Sequence, residues 1–300
     1  MAKERTQAMP QGGDSYILQA GRLETKVNTL EIICVGNELL IGKTMNTNAT
    51  WLAKRATSMG LMVKRITVVG DNIDEIAEVL REALRRKPKF IITTGGLGPT
   101  FDDKTLEGIS KALNRRLEVN EKALKMVRMK YEAYFKQGKI EKVELTPARV
   151  KMATLPVGTE PLLNPVGTAP AVMANVKGVY IMALPGVPPE MEAIFNKSLA
   201  VIFKREAGKS AFFESSIYAD DIMESSLAPL IDEVMHDNPC VYVKSHVYTK
   251  SPVRFEGQKS HIELHLSTTV DDPETAKKRL GKAVAQLSEL VLKNGGKVRK

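Results

Sequence analysis

Between Leu30 and Lys293 the spacing of apolar positions changes period repeatedly. LEIICVG (30–36) is a short, mostly apolar run ending in glycine, the pattern of a buried strand. NATWLAKRATSMG (48–60) then places Leu52, Ala56 and Met59 on one helical face, with Gly60 as a stop. LMVKRITVVGD (61–71) predicts a second strand. NIDEIAEVLREALRR (72–86) puts Ile73, Ile76, Leu80 and Leu84 on one face and is the clearest helix in the chain. KFIITTGG (89–96) predicts a third strand. DKTLEGISKAL (103–113) predicts a third helix through Leu106, Ile109 and Leu113.

Three strands alternating with three helices predict a parallel sheet covered on both faces. Right-handed crossovers bring the strand C-terminal ends to one edge, where open α/β sheets bind ligands. Further on, EKALKMVRMKYEAYFKQG (121–138) reads as an amphipathic helix and TPARVKMATLP (146–156) as a shorter one. AVMANV (171–176) and VYIMALPG (179–186) read as strands, and PPEMEAIFNKSLAVIFKREAG (188–208) as a long helix with proline at its first turn. A new pattern follows: strand (212–219), helix (224–236), strands (240–249 and 261–270) and helix (273–293). This β-α-β-β-α order predicts a small α+β domain. The expected division is a flexible extension or upstream start over 1–29, an α/β domain over 30–208 and the small domain over 209–300. The boundary is expected within Glu206–Ser210.

Composition narrows the class. The 300 residues are 43% hydrophobic and 26% charged, enough to bury two cores. No run approaches a membrane span and no apolar signal segment opens the chain, so the expected location is the cytoplasm. Cys34 lies in the apolar run and reads as buried and inert. With Cys240 it forms neither a disulfide framework nor a metal spacing. The net charge of +9 invites nucleic acid, yet the basic residues are scattered. The densest group, Arg85-Arg86-Lys87-Pro88-Lys89, ends a helix, and Lys297, Arg299 and Lys300 form a short tail. Aromatics are 5% and do not interleave with the basic residues, so a solvated basic surface is expected. Nucleic-acid binding through the small domain is a third alternative, recognisable by steep salt dependence. His261 and His265 share a strand face with Glu263, weak grounds for a metal site.

The candidate chemistry lies at the strand ends. TTGGLGPTFDDKT (93–105) follows a strand and precedes a helix start, a ready anion site at Gly95, Gly96 and Gly98. It lacks the lysine of a P-loop, the dinucleotide fingerprint and the setting of a KH loop. Thr100 to Asp103 fits a capping box, which accounts for one carboxylate but not for the glycines. A carboxylate about 4 Å from a phosphate near the surface is repelled by roughly 4 kcal/mol, more than a helix terminus offers. A divalent cation between them resolves the conflict; otherwise the aspartates face a part of the ligand that is not phosphate. In VGNELLIGKTMNTN (35–48), Glu38 is a candidate metal ligand or base, and Asn46, Thr47 or Asn48 caps the next helix. In VVGDN (68–72), Asp71 is a cap or a site residue.

These stretches, with NPVGTAPA (164–171) and LPGVPPEM (184–191), resemble the MoaB/Mog-like molybdopterin-binding fold, in the branch formed by the N-terminal region of CinA-type (competence/damage-inducible) proteins. GGLGPTxDDxT is the specific part. The match runs from about Leu30 to Gly208, and the later pattern resembles the small domain that follows in that branch. The resemblance implies a three-layer, mostly parallel sheet with helices on both faces, and a homodimer. It also implies metal-dependent hydrolysis of a nucleotide pyrophosphate bond, with ADP-ribose or a related dinucleotide as substrate and Mg, Mn or Co as metal. The alternative is a molybdopterin-binding protein of molybdenum cofactor metabolism. On this reading Asp103, with Asp102 or Asp71, holds the metal, and Glu38 orients the water. Gly95, Gly96 and Gly98 present amides to the diphosphate. Thr105 adds a hydroxyl, and Asn48, Asn164, Gly167 and Thr168 line the pocket. Two departures stand out. Asn37 occupies a position where the family often has Asp. The chain also ends at Lys300, so the nicotinamide mononucleotide deamidase domain of larger relatives is not expected.

Overall fold

The structure is a computed structural model that describes residues 28–207, 211–247 and 261–299. The extension expected up to residue 27, the boundary residues 208–210, the end of the strand expected over 240–249, and Lys300 lie outside the described residues. The chain divides into two compact units, one comprising Val27–Lys209 and the other including Ser210–Lys300.

In the first unit six strands form a sheet in the order β2-β1-β3-β8-β7-β6. They are β1 (Thr29–Val35), β2 (Met62–Val69), β3 (Phe90–Thr94), β6 (Glu160–Leu162), β7 (Ala171–Val176) and β8 (Val179–Leu184). β1, β2, β3 and β8 run parallel, while β7 is antiparallel to both of its neighbours, β8 and β6. β1 shows why its sequence is mostly apolar on both faces. Leu30, Ile32 and Cys34 pack with Leu52 and Ala56 of α2 (Thr47–Ser58) and with Phe195 and Phe203. Ile33 and Val35 pack on the opposite face with Ile76 and Leu80 of α3 (Ile73–Arg86), Ile109 of α4 (Thr105–Leu113) and Val127 of α5 (Glu121–Lys136). Two cores thus share one central strand.

Glu31 is the exception in β1. It is 3% exposed, and Arg86 at the end of α3 meets it with two hydrogen bonds of 2.8 and 2.7 Å. α3 starts on Asn72, whose side chain accepts from the amides of Asp74 and Glu75. It stops at Lys87, in the left-handed region at φ 53°. A side chain there costs about 1 kcal/mol. Lys87→Gly is therefore expected to raise stability by roughly 0.5 kcal/mol, net of the extra freedom of the unfolded chain. An unchanged or lower urea midpoint would contradict this.

Several short elements depart from the sequence reading. Asn37–Leu40, to which the sequence reading assigned no element, closes one helical turn, α1. TPARVKMATLP is only half helical. α6 (Pro147–Lys151) gives way to β5 (Thr154–Pro156), which pairs antiparallel with β4 (Leu117–Val119). The long helix over 188–207 is α7 (Pro188–Ile194), a π turn (Phe195–Leu199) and α8 (Ala200–Ala207).

The second unit is a four-stranded antiparallel sheet ordered β10-β11-β9-β12. Its strands are β9 (Ala211–Asp220), β10 (Tyr242–Val247), β11 (His261–Val270) and β12 (Lys297–Arg299); its helices are α9 (Glu224–Asp237) and α10 (Pro273–Lys293). β12 corrects the basic-tail reading: Arg299 binds Asp220 at 2.7 Å and Lys297 binds Asp221 at 3.0 Å, so these cations are paired. His261 meets Asp220 and His265 meets Glu214, and no group of three metal-ligating side chains forms among the described residues. No described helix is long and apolar enough to cross a membrane.

Candidate functional site

The loops after β1, β2, β3 and β8 converge at the sheet's C-terminal edge, where parallel topology puts them. The β3–α4 loop is built on Gly95. At φ +99° it lies so close to β1 that an added Cβ would come 2.2 Å from the Val35 carbonyl oxygen. Its amide donates to the Leu184 carbonyl at 3.0 Å, and its carbonyl accepts from the Thr105 hydroxyl at 2.7 Å. This corrects two expectations. Gly95 shapes the loop rather than offering its amide to a ligand. Thr105, wholly buried, uses its hydroxyl to fasten α4 to the loop. The amides of Gly96 and Gly98 make no hydrogen bond among the described residues and remain available to an anion.

The acidic stretch is a turn, not a helix start. Asp103 Oδ2 accepts from the Thr100 amide at 2.8 Å and the Thr100 hydroxyl at 2.5 Å, and α4 begins only at Thr105. Half of the expected capping box is formed; the Thr100 hydroxyl goes to the carboxylate instead of to an amide. The Asp102 carboxyl is held below the ordinary carboxylate range, first by the neighbouring Thr100 hydroxyl, then by its own backbone and the nearby Lys151 charge. Sequence reading missed Lys151. From α6 its ammonium donates to the carbonyls of Thr100 and Asp103, the latter at 2.9 Å. A fixed cation thus stands beside the aspartates.

The remaining candidates divide. Asp71 and Asn37 clasp each other: the Asn37 amide donates to Asp71 at 2.9 Å, and the Asp71 amide to Asn37 Oδ1 at 3.3 Å. Asn72, not Asp71, caps α3. An amide side chain at 37 suits this clasp, so the departure from the family pattern is accommodated. Glu38 folds its carboxylate over Gly36. Asn48 donates to the Gly186 carbonyl at 2.7 Å, and its Oδ1 is buried without a partner, an acceptor awaiting a donor. Asn164 is a correction. It is 2% exposed and fully engaged, accepting from the amides of Val166 and Gly167 and donating to Ala169 and Glu190. It braces the NPVGT turn, as does Glu190, which sequence reading missed and which lies against Gly167. Thr168 points its hydroxyl at the Met152 sulfur, 3.7 Å away. Cys34 is buried, as expected, and burial raises its thiol pKa.

Beside the glycine loop opens a cavity of about 550 Å³. Gly96, Gly98, Asp103, Glu107, Lys151 and Thr154 are its polar lining; Leu97, Leu106, Leu117, Leu145, Pro147 and Val150 are its apolar lining.

An open, mostly parallel sheet with a glycine loop and a cavity at its strand ends defines an α/β protein built to hold a small ligand. The chain belongs to the family described as a probable molybdopterin binding domain, which matches residues 31–204. A protein of Sulfurisphaera tokodaii is 40% identical over 268 residues, 89% of this chain and 97% of that protein. One of Caldivirga maquilingensis is 45% identical over 257 residues, 85% of this chain and 94% of that protein. The crystal structure of the protein CinA with unknown function from Thermoplasma acidophilum aligns at 41% identity and a TM-score of 0.53, covering 59% of this chain and 98% of that one. The fold expected from the motifs, MoaB/Mog-like with a CinA-type affinity, therefore holds.

Proposed function

We propose that the crevice binds a phosphorylated small molecule carrying a flat heterocycle, of the molybdopterin class. What carries the reading is the pairing of open Gly96 and Gly98 amides and the Lys151 ammonium with an apolar cavity at their feet. The phosphate meets the amides and the cation, and the ring lies on the leucine lining. Lys151 keeps a donor for that phosphate, since an ammonium has three and two are on carbonyls. Lys151→Met should weaken binding of molybdopterin and of inorganic pyrophosphate about tenfold in low-salt calorimetry, with the difference shrinking as salt rises. Equal affinities for the two proteins would remove Lys151 from the site and leave the phosphate end of this reading without its cation.

Metal-dependent hydrolysis of a nucleotide pyrophosphate such as ADP-ribose is the second reading. It is favoured by Asp102 and Asp103 lying next to each other, with Asp103 lining the same cavity. The donor set alone does not fit a resident metal: no three carboxylate, imidazole or thiol groups gather among the described residues, and Asp103 Oδ2 is already engaged twice. A divalent ion would have to arrive with the diphosphate, the manner in which Mg²⁺ commonly binds.

A further inference from the structure

Phe101 is 86% exposed, the most exposed large apolar side chain described. Its backbone is not free to fold the ring away. It sits in the turn closed by the Thr100–Asp103 bonds, with Lys151 fastened to the carbonyls of both turn ends and Pro99 immediately before it. That turn springs from the cavity rim, because Gly98 before it, Asp103 at its end and Lys151 at its base all line the cavity. An apolar ring therefore projects into water from a braced turn bounded by the cavity-lining Gly98 and Asp103. A flat ligand lying on the apolar lining covers only one of its faces. Aromatic side chains stack on such rings and on ring systems generally, whereas they give a bare phosphate nothing.

Resting on the binding reading above, we infer that Phe101 is a specificity-determining residue: it stacks on the exposed face of the ligand's ring, so that the site selects a phosphorylated purine or pterin over phosphate alone. Inorganic pyrophosphate, ADP and hydroxymethyldihydropterin diphosphate share a diphosphate and differ in the ring. Calorimetric titration of the full chain with these three should show that Phe101→Ala weakens both ringed compounds about tenfold, leaves pyrophosphate within about twofold, and is rescued by Phe101→Trp. The melting temperature should not move, since the ring packs against nothing it could lose. Ringed compounds unaffected by Phe101→Ala, or all three weakened alike, would overturn the inference while leaving the phosphate site standing. Pyrophosphate that fails to bind, with ringed compounds still lost on Phe101→Ala, would sink the phosphate site and keep the stacking. Binding of none of the three would end both.

Discussion

Replacing Gly95 with alanine is expected to destabilise the first unit by about 3 kcal/mol or more and to abolish binding at the crevice. Two costs combine. The residue has φ +99°, where an L side chain is strained by about 1–3 kcal/mol. The new methyl would also lie 2.2 Å from a backbone oxygen of β1, and backbone in the middle of a parallel sheet cannot swing aside as a flexible side chain can. Such overpacking typically adds 1–3 kcal/mol. Gly178 separates the two terms. It sits at φ +89° in the β7–β8 turn, but an added Cβ there meets nothing within 4 Å. Gly178→Ala should show the backbone strain alone, about 1–2 kcal/mol, with ligand binding intact. Urea denaturation of both variants, with pyrophosphate titration, makes the comparison. Equal losses would mean that the β1 contact has no energetic weight and that the loop position is set elsewhere.

That loop also shows what was legible in sequence. Wherever an element is long enough to repeat its period, the residues announced it: α3 lies within one residue of its expected span because Ile73, Ile76, Leu80 and Leu84 return every three or four positions. β1 and β3 were legible for the opposite reason, being mostly apolar without a clear alternation and buried on both faces. β4, β5 and β12 were not. Strands of three residues carry no usable alternation, and their pairing depends on partners that lie elsewhere in the chain. In the site, the glycines and acids were visible because turn chemistry is local. Their partners were not. Lys151 lies 48 residues from Asp103, and its role arises only because α6 folds against the acidic turn. Glu190 reaches Asn164 across 26 residues in the same way. Gly95 and Thr105 drew notice for the right stretch and the wrong task, since sequence shows that a donor exists but not where its hydrogen goes.

Asp103→Asn should move two measurements in opposite directions. The substitution keeps the turn, because an amide oxygen can accept from the Thr100 amide and hydroxyl as the carboxylate does. What changes is one negative charge at a rim meant for phosphate. Without metal, that charge repels the ligand by up to roughly 4 kcal/mol at contact distance, reduced by screening at the exposed rim. Metal-free affinity for pyrophosphate should therefore rise about five- to tenfold. If a divalent ion mediates hydrolysis here, the same change removes one of its few protein donors, and release of AMP from ADP-ribose with Mg²⁺, Mn²⁺ or Co²⁺ should fall at least about a hundredfold. Tighter binding with lost turnover places Asp103 against the phosphate and supports the hydrolytic reading. Tighter binding in a protein that never produces AMP leaves the molybdopterin-class reading alone. Neither quantity moving, with the melting temperature unchanged, would mean that this carboxylate only ties its turn and that the anion sits beyond its reach. The design works because Lys151 holds the same turn through carbonyls, so the rim keeps its shape when the charge is removed.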